Sequence, residues 1–318
     1  MSVALSVVVP SRDEAANLPA LVERLGAALG AWAGRYEVIV VDDGSTDDTA
    51  RLLRDLGHGH PELRWVRLSR NFGKESAILA GLDAAEGDLI AIIDGDLQHP
   101  PELLPDMIDV LASSGADQVV GVRTRAGEGS ARKWMSRVYA SALARFSDVE
   151  VPRGYGDFRV FTRRVRDAVV GLSETTRFNR GLFAWVGFPT VAFAFTDAAR
   201  SGARSRWKPS QLVGYGLDGM LSFSARPLRF LIVLGAVSMG LFLLYVVAVI
   251  VRVLLFGIET PGYVTLIAAV FFVGGMQSFS AGMLGEYLGR IFLEVKNRPI
   301  YIEMESGRGR SGREEPGR

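Results

Sequence analysis

The chain of 318 residues contains no cysteine. This absence excludes disulfide bonds, thiolate nucleophiles and cysteine-ligated metals. It also has no large excess of charge, because 36 lysine and arginine residues face 35 acidic residues, for a net charge of +1. A protein without a global positive field does not attract nucleic acid through its net charge. We therefore predict no nucleic-acid partner and expect any basic function to be local.

A glycine-rich turn is missing after the first apolar run, residues 4–10, which continues into PSRDE. A dinucleotide-binding fold needs glycines at that turn, so a Rossmann dehydrogenase is excluded. The same start lacks the basic region of a secretory signal peptide and continues straight into polar residues. We interpret residues 4–10 as a β-strand.

Two long uncharged runs, residues 230–251 and 263–284, are each long enough to cross a bilayer as a helix. Buried core helices are the alternative, but they are rarely apolar on every face. A short linker, residues 252–262, makes the pair a helical hairpin. Basic residues cluster outside the hairpin, at Arg226, Arg229, Arg290, Lys296 and Arg298, whereas the linker has only Arg252. This bias predicts a multi-pass protein of the inner (plasma) membrane with both termini cytoplasmic.

The first two thirds alternate short β-branched runs with amphipathic stretches. The predicted strands are residues 4–10, 36–42, 63–68, 89–94, 118–121 and 189–195. The predicted helices are residues 17–29, 46–56, 74–85, 103–113 and 132–146. Such alternation indicates an α/β domain with a parallel sheet, whose ligands bind beyond the carboxyl ends of the strands.

Four regions follow from these patterns. We predict a cytoplasmic catalytic domain over residues 1–211 and an amphipathic juxtamembrane helix over residues 212–229. Two transmembrane helices would fill residues 230–284. The cytoplasmic C-terminal segment, residues 285–318, would have a disordered tail from residue 305, because the tail is glycine-rich, charged and has little to bury.

Carboxylates follow two of the predicted strands. The motif VVDDGSTDDT ends the second strand, and IAIIDGDLQHPPE contains Asp94 and Asp96 at the end of the fourth. Two aspartates one residue apart at a strand end can bind a hard divalent cation beside a diphosphate, with Gln98 as a third ligand. Alone, the pair is also typical of a solvated acidic turn.

Six segments in order make a more specific pattern: residues 7–18, 40–49, 68–88, 92–104, 154–164 and 180–185. Together they resemble the family 2 glycosyltransferases that make polyprenyl-phosphate sugars, such as dolichol-phosphate mannose synthase and bacterial undecaprenyl-phosphate glycosyltransferases. The likeness continues through both apolar runs to residue 301. It implies a GT-A fold, a nucleotide-sugar donor, a polyprenyl-phosphate acceptor and a membrane partner.

The resemblance also implies roles for the polar residues after the strands. Asp42 would contact the nucleobase and Asp43 the ribose. The remaining nucleotide-pocket residues would be Pro10, Arg12 and Glu14.

The catalytic and metal residues are implied in the same way. Asp94, Asp96 and Gln98 would hold Mg²⁺ or Mn²⁺ against the diphosphate. Asp157, in GDFRV, matches a catalytic aspartate. Asp96 is the second residue that we predict to be catalytic. Since a phosphate monoester with a second pKa near 6 is largely a dianion at neutral pH, no strong base is needed. We predict that Asp157 positions the reactants and takes a proton only from the minor monoanion.

Two further groups would bind phosphates. A basic loop resembles the family pattern RxxGxSKW, with arginine replacing lysine at its last cation. The donor-phosphate residues in this loop are Arg200, Ser205 and Arg206. The residues that match lipid-phosphate ligands are Arg123, Arg137 and Ser141.

The predicted reaction is transfer of a hexose to the lipid phosphate with inversion, by direct displacement. UDP-glucose is the favoured donor, ahead of GDP-mannose and UDP-N-acetylglucosamine. A processive polysaccharide synthase would need a QxxRW element and more spans. A non-catalytic flippase or transport subunit is the other alternative, although two spans with few polar residues offer little to line a pathway. We also expect a homo-oligomer, with a tetramer favoured.

Overall fold

The computed structural model describes residues 3–32, 34–123, 155–175, 177–195, 226–257 and 262–309. Its strands are β1 (Leu5–Ser11), β2 (Tyr36–Asp42), β3 (Leu63–Leu68), β4 (Leu89–Ile92), β5 (Gln118–Arg123), β6 (Tyr155–Thr162), β7 (Thr190–Phe195) and β8 (Glu303–Arg308). Its helices are α1 (Leu18–Ala28), α2 (Thr49–Gly57), α3 (Lys74–Ala84), α4 (Leu104–Ser114), α5 (Arg163–Val170), α6 (Asn179–Trp185), α7 (Arg226–Phe256) and α8 (Tyr263–Val295). Short 3₁₀ turns occupy Gly30–Trp32 and Pro101–Leu103.

In the described part of the chain, the strands form one eight-stranded sheet in the order β7-β5-β6-β4-β1-β2-β3-β8. The central strands β4, β1, β2 and β3 are parallel, as predicted. The predicted parallel sheet is incomplete, because β6 runs antiparallel to both β4 and β5, and β8 runs antiparallel to β3. The result is an α/β domain built on one sheet with mixed strand directions.

The central strands are buried on both faces of the sheet. Every residue of β1 is buried. Val7 and Val9 pack into a cluster with α1 and α4, while Val8 packs into a second cluster with α3, α5 and α6. Burial on both faces explains why these strands are continuous apolar runs. The strands therefore support rigidly the polar residues that follow them.

The start of α2 differs from the prediction. The sequence pattern places it at residue 46, but the helix begins at Thr49. The backbone N–H of Thr46 donates to Asp13 instead, at 2.8 Å, and the N–H of Thr49 donates to Asp47 at 3.0 Å. Side-chain acceptors thus bind the N–H groups that an earlier helix start would have left without partners.

The disordered tail predicted from residue 305 is wrong for its first four residues, which belong to β8. This strand pairs with β3, which would otherwise be the edge of the sheet, with Trp65 opposite Gly307. The side chain of Arg54 also pairs with Glu305, its Nε 2.8 Å from Oε1. The composition of the tail offered no apolar run, but an existing sheet edge supplies backbone partners that do not depend on side-chain type.

The two longest helices of the described chain, α7 and α8, cover the apolar runs found in the sequence. Large apolar side chains on both are exposed; Leu254 and Phe256 are each 79% exposed. Within the described residues, no helix combines the length and apolar character that crossing a membrane requires. The transmembrane hairpin therefore stays a prediction. The predicted helix 132–146 and most of the predicted juxtamembrane helix lie outside the described residues.

Candidate functional site

The loops that follow β1 and β2 are tied together by hydrogen bonds. The N–H of Asp13 donates to Ser45 Oγ at 2.9 Å, and the N–H of Ala15 donates to Asp47 at 3.3 Å. Asp13 adopts a left-handed conformation, with φ of 54°. The predicted pocket residues belong to this region: Pro10 is buried within β1, and Arg12 and Glu14 are in the loop. Burial raises the pKa of Glu14, with Asn17 opposing the shift.

Asp42 and Asp43 are both buried at the end of β2, but they have different partners. Asp42 Oδ1 accepts a hydrogen bond from the N–H of Ser45 at 2.8 Å. Asp43 accepts hydrogen bonds from the N–H groups of Phe72 at 2.7 Å and Gly73 at 2.9 Å. Burial raises the pKa of Asp43, and the two N–H donors oppose that rise. Asp43 therefore fixes the turn that leads into α3.

Lys74 is the first residue of α3 and follows this turn directly. Its Nζ lies 2.6 Å from Asp94 Oδ1 and 2.8 Å from Asp157 Oδ2. Asp94 follows β4, and Asp157 lies in β6, the strand next to β4 in the sheet. Ile92 of β4 pairs with Arg159 of β6, so the antiparallel register continued by two residues places Asp94 opposite Asp157. The Lys74 ammonium thus connects α3, the loop after β4 and strand β6 at the carboxyl end of β4.

Asp157 has a second cationic partner. Arg180, in the first turn of α6, donates from Nε to Oδ1 at 3.1 Å and from Nη2 to Oδ2 at 3.2 Å. Burial raises the pKa of Asp157, but the charges of Lys74 and Arg180 outweigh burial and hold it well below its usual range. The Asp157 carboxylate is therefore ionised at neutral pH and held at both oxygens.

The loop after β4 contains the remaining predicted metal residues. The N–H of Gln98 donates to Asp96 Oδ1 at 3.1 Å, which folds the loop back on itself. His99 lies with Nδ1 3.8 Å from Asp94 Oδ2, and its ring stacks on Phe158 at a centroid distance of 5.0 Å. The residues brought together here are Asp94 and Asp157, with Asp96 two positions further along the loop.

Among the described residues, no group of three or more histidine, cysteine or acidic side chains is arranged to hold a metal ion. The carboxylate and amide oxygens of the β4 loop nevertheless suit Mg²⁺ or Mn²⁺, since such ions commonly use one or two carboxylates plus substrate phosphates. Asp94 already bonds a cation, the Lys74 ammonium at 2.6 Å. The residues that would hold the ion are Asp94, Asp96 and Gln98.

Sequence reasoning missed the roles of Lys74, Glu75 and Arg180, although two of the six segments that carry the family resemblance contain them. Glu75 Oε2 accepts a hydrogen bond from the N–H of Asn179 at 2.8 Å, which joins α3 to the start of α6. Burial raises the pKa of Glu75. Those segments, residues 68–88 and 180–185, were the available signal, but a sequence segment does not show which residues contact one another.

Most of the predicted phosphate ligands fall outside the described residues. These are Arg137, Ser141, Arg200, Ser205 and Arg206. Arg123 ends β5, and its side chain lies outside the described part. Their roles stay predictions.

Comparison with known proteins extends the similarity over nearly the whole chain. Residues 6–169 match the family described as Glycosyl transferase family 2. A putative glycosyltransferase of Bacillus subtilis strain 168 is 38% identical over 302 residues, covering 95% of this chain and 92% of that protein. An uncharacterized glycosyltransferase of Synechocystis is 39% identical over 303 residues, covering 95% of each. The bactoprenol glucosyl transferase of Shigella phage SfII is 34% identical over 306 residues, covering 96% of this chain and 99% of that protein.

Proposed function

Because the chain belongs to the family 2 glycosyltransferases, we propose that it transfers glucose from UDP-glucose to a polyprenyl phosphate of the undecaprenyl type. The observation that carries the proposal is the similarity to a bactoprenol glucosyl transferase over 306 residues, well beyond the family match that ends at residue 169. Bactoprenol is a polyprenyl lipid, so the relative's name gives both the sugar and the acceptor class. The product would be a polyprenyl-phosphate-linked glucose with inverted anomeric configuration.

The donor would bind beyond the carboxyl ends of β1, β2 and β4. Asp42 and Asp43, with Pro10, Arg12 and Glu14, would form the nucleoside pocket. A divalent cation held by Asp94, Asp96 and Gln98 would neutralise charge on the departing diphosphate. Support comes from the 2.6 Å contact between Asp94 and Lys74, because that carboxylate is already arranged to bind a cation.

The acceptor phosphate would attack the anomeric carbon directly from the opposite face. A phosphate dianion is a sufficient nucleophile, so no covalent sugar–enzyme intermediate is needed. Asp157, held at both oxygens, would orient the reactants. Arg200, Ser205 and Arg206 would contact the donor phosphates, and Arg123, Arg137 and Ser141 the lipid phosphate.

A membrane-bound acceptor calls for a membrane-bound enzyme. We propose that α7 and α8 form a hairpin in the inner membrane, with the catalytic domain and both termini on the cytoplasmic side. What supports this is the large apolar side chains exposed along both helices, including Leu244, Leu254, Phe272 and Leu288. Basic residues that flank the hairpin support the orientation. Paired helices also offer a surface for self-association, and we propose a tetramer.

The test uses purified full-length protein, undecaprenyl phosphate, Mn²⁺ and radiolabelled nucleotide sugars. We expect label from UDP-glucose to enter the organic phase, with GDP-mannose and UDP-N-acetylglucosamine transferring much less. Preferential labelling from GDP-mannose would identify a polyprenyl-phosphate mannose synthase instead. A flippase or transport subunit without catalytic activity would transfer none of the three sugars.

A further inference from the structure

The ammonium of Lys74 occupies a position where a second cation would meet repulsion. It lies 2.6 Å from Asp94 Oδ1, on the carboxylate that would also bind the divalent ion. The ammonium also pairs with Asp157 at 2.8 Å, and it carries its charge throughout the neutral range as a lysine ordinarily does. Any divalent ion at Asp94 must share this carboxylate with a fixed positive charge.

The same ammonium is tied to the nucleoside pocket through the backbone. Asp43 binds the N–H groups of Phe72 and Gly73, and Lys74 is the next residue. The side chain of Lys74 extends from this backbone to Asp157, with Nζ 2.8 Å from Oδ2. Three consecutive residues thus connect the carboxylate beside the nucleoside pocket to the two carboxylates at the reaction centre.

We propose that Lys74 is a positioning residue that makes divalent-cation binding depend on the donor, by competing for Asp94 until a diphosphate arrives, and that also holds Asp157 in place. This inference rests on the proposed function. Like charges a few ångströms apart repel strongly where solvent is partly excluded, so Lys74 weakens metal binding to the empty site. The donor diphosphate adds negative charge that offsets this repulsion. Metal and nucleotide therefore increase each other's affinity, and the increase is reciprocal.

If Lys74 competes with the metal, removing its charge should strengthen Mn²⁺ binding, whereas simple damage to the site would weaken it. Lys74→Met removes the ammonium but keeps an unbranched side chain of similar length. We expect Mn²⁺ to bind the donor-free variant about tenfold more tightly than the wild type. The enhancement of Mn²⁺ affinity by UDP should shrink by a similar factor. Turnover should fall about 100-fold, because Asp157 loses one of its two cationic partners and its orientation.

The experiment measures free Mn²⁺ by electron paramagnetic resonance, with full-length protein in detergent, with and without UDP. Lys74→Arg keeps the charge and should bind donor-free Mn²⁺ within about threefold of the wild type. Lys296→Met removes a lysine that directly follows α8 and lies over the Phe292 ring, without a contact to Asp94 or Asp157, and should match the wild type in both assays. Tighter donor-free Mn²⁺ binding by Lys74→Met, together with slower turnover, supports the proposal.

Equal or weaker Mn²⁺ binding by donor-free Lys74→Met overturns the proposal, because it would show that Lys74 does not compete with the metal. A site that has merely lost its shape would also bind metal less well. The two proposals fail in different ways. If the wild type glucosylates the lipid but Lys74→Met does not gain Mn²⁺ affinity, the inference about Lys74 is wrong and the enzymatic function stands. If the wild type transfers no sugar, the proposed function is wrong, while the Mn²⁺ measurement still reports on Lys74.

Discussion

Arg180 contacts Asp157 through two N–H groups, with Nε 3.1 Å from Oδ1 and Nη2 3.2 Å from Oδ2. Lys74 adds a third donor to the same carboxylate at 2.8 Å. A carboxylate that acts as a general base needs a pKa near the working pH, and these cations lower the pKa of Asp157 instead. The geometry therefore favours a positioning role over proton abstraction.

The pH dependence of Asp157→Asn separates those two roles. The folded-state pKa of Asp157 is depressed, so the carboxylate stays ionised from mildly acidic to alkaline pH. If it positions the reactants, we expect kcat to fall about 100-fold by the same factor at every pH between about 5.5 and 8.5. The measurement is kcat against pH for both proteins. A defect that disappears at high pH, where the lipid phosphate is fully a dianion, would instead assign Asp157 as a base.

The turn after β2 depends on Gly44, which has a φ of 63° and lies against the backbone of Arg70. Gly44→Ala combines a left-handed conformation with a steric clash, and we expect the melting temperature in detergent to fall by about 10 °C. The matched control is Gly34→Ala, with a φ of 75° and nothing within 4 Å of the added carbon. That change should lower the melting temperature by about 4 °C. Equal losses would show that contact with Arg70 is unimportant.

Strand β8 covers the edge of β3, so its removal should expose unpaired backbone groups. We expect deletion of residues 303–318 to lower the melting temperature and to promote aggregation, as measured by thermal melting with light scattering. Deletion of residues 310–318 alone retains β8 and should leave both properties unchanged. If the two deletions behave alike, pairing between β3 and β8 contributes nothing to stability.

Chelation tests whether sugar transfer needs a divalent metal at the carboxylates that follow β4. We expect EDTA to abolish sugar transfer and added Mn²⁺ or Mg²⁺ to restore it. Replacement of both Asp94 and Asp96 by alanine should lower turnover by at least about 100-fold, because the leaving diphosphate loses its counter-charge. Transfer that persists in chelator would show that the reaction needs no divalent metal.

Much of the sheet could be predicted because its central strands are continuous apolar runs. Strands β2 and β3 have the predicted limits, and the carboxylates that follow β2 and β4 lie at the expected edge. Strand β6 was not predicted as a strand, because its sequence alternates charge with aromatic residues. Its direction comes from pairing with β4 and β5, which no local pattern encodes.

The cationic partners of Asp157 could not be predicted for a similar reason. Lys74 and Arg180 are 83 and 23 positions away from it in the chain. Each is a single basic residue at the start of a helix, where sequence alone also allows an exposed side chain. Only the fold brings α3 and α6 to the same carboxylate. The sequence thus predicted which carboxylates lie at the site. Which cations pair with them depends on tertiary packing.

Sugar transfer to the lipid is tested most directly by mass spectrometry of the lipid after incubation with unlabelled UDP-glucose, with released UDP quantified in parallel. We expect undecaprenyl phosphate to gain one hexosyl unit for each UDP released, and the Asp94 and Asp96 double alanine variant to produce neither. Release of UDP without any change in the mass of the lipid would contradict glucosyl transfer to undecaprenyl phosphate.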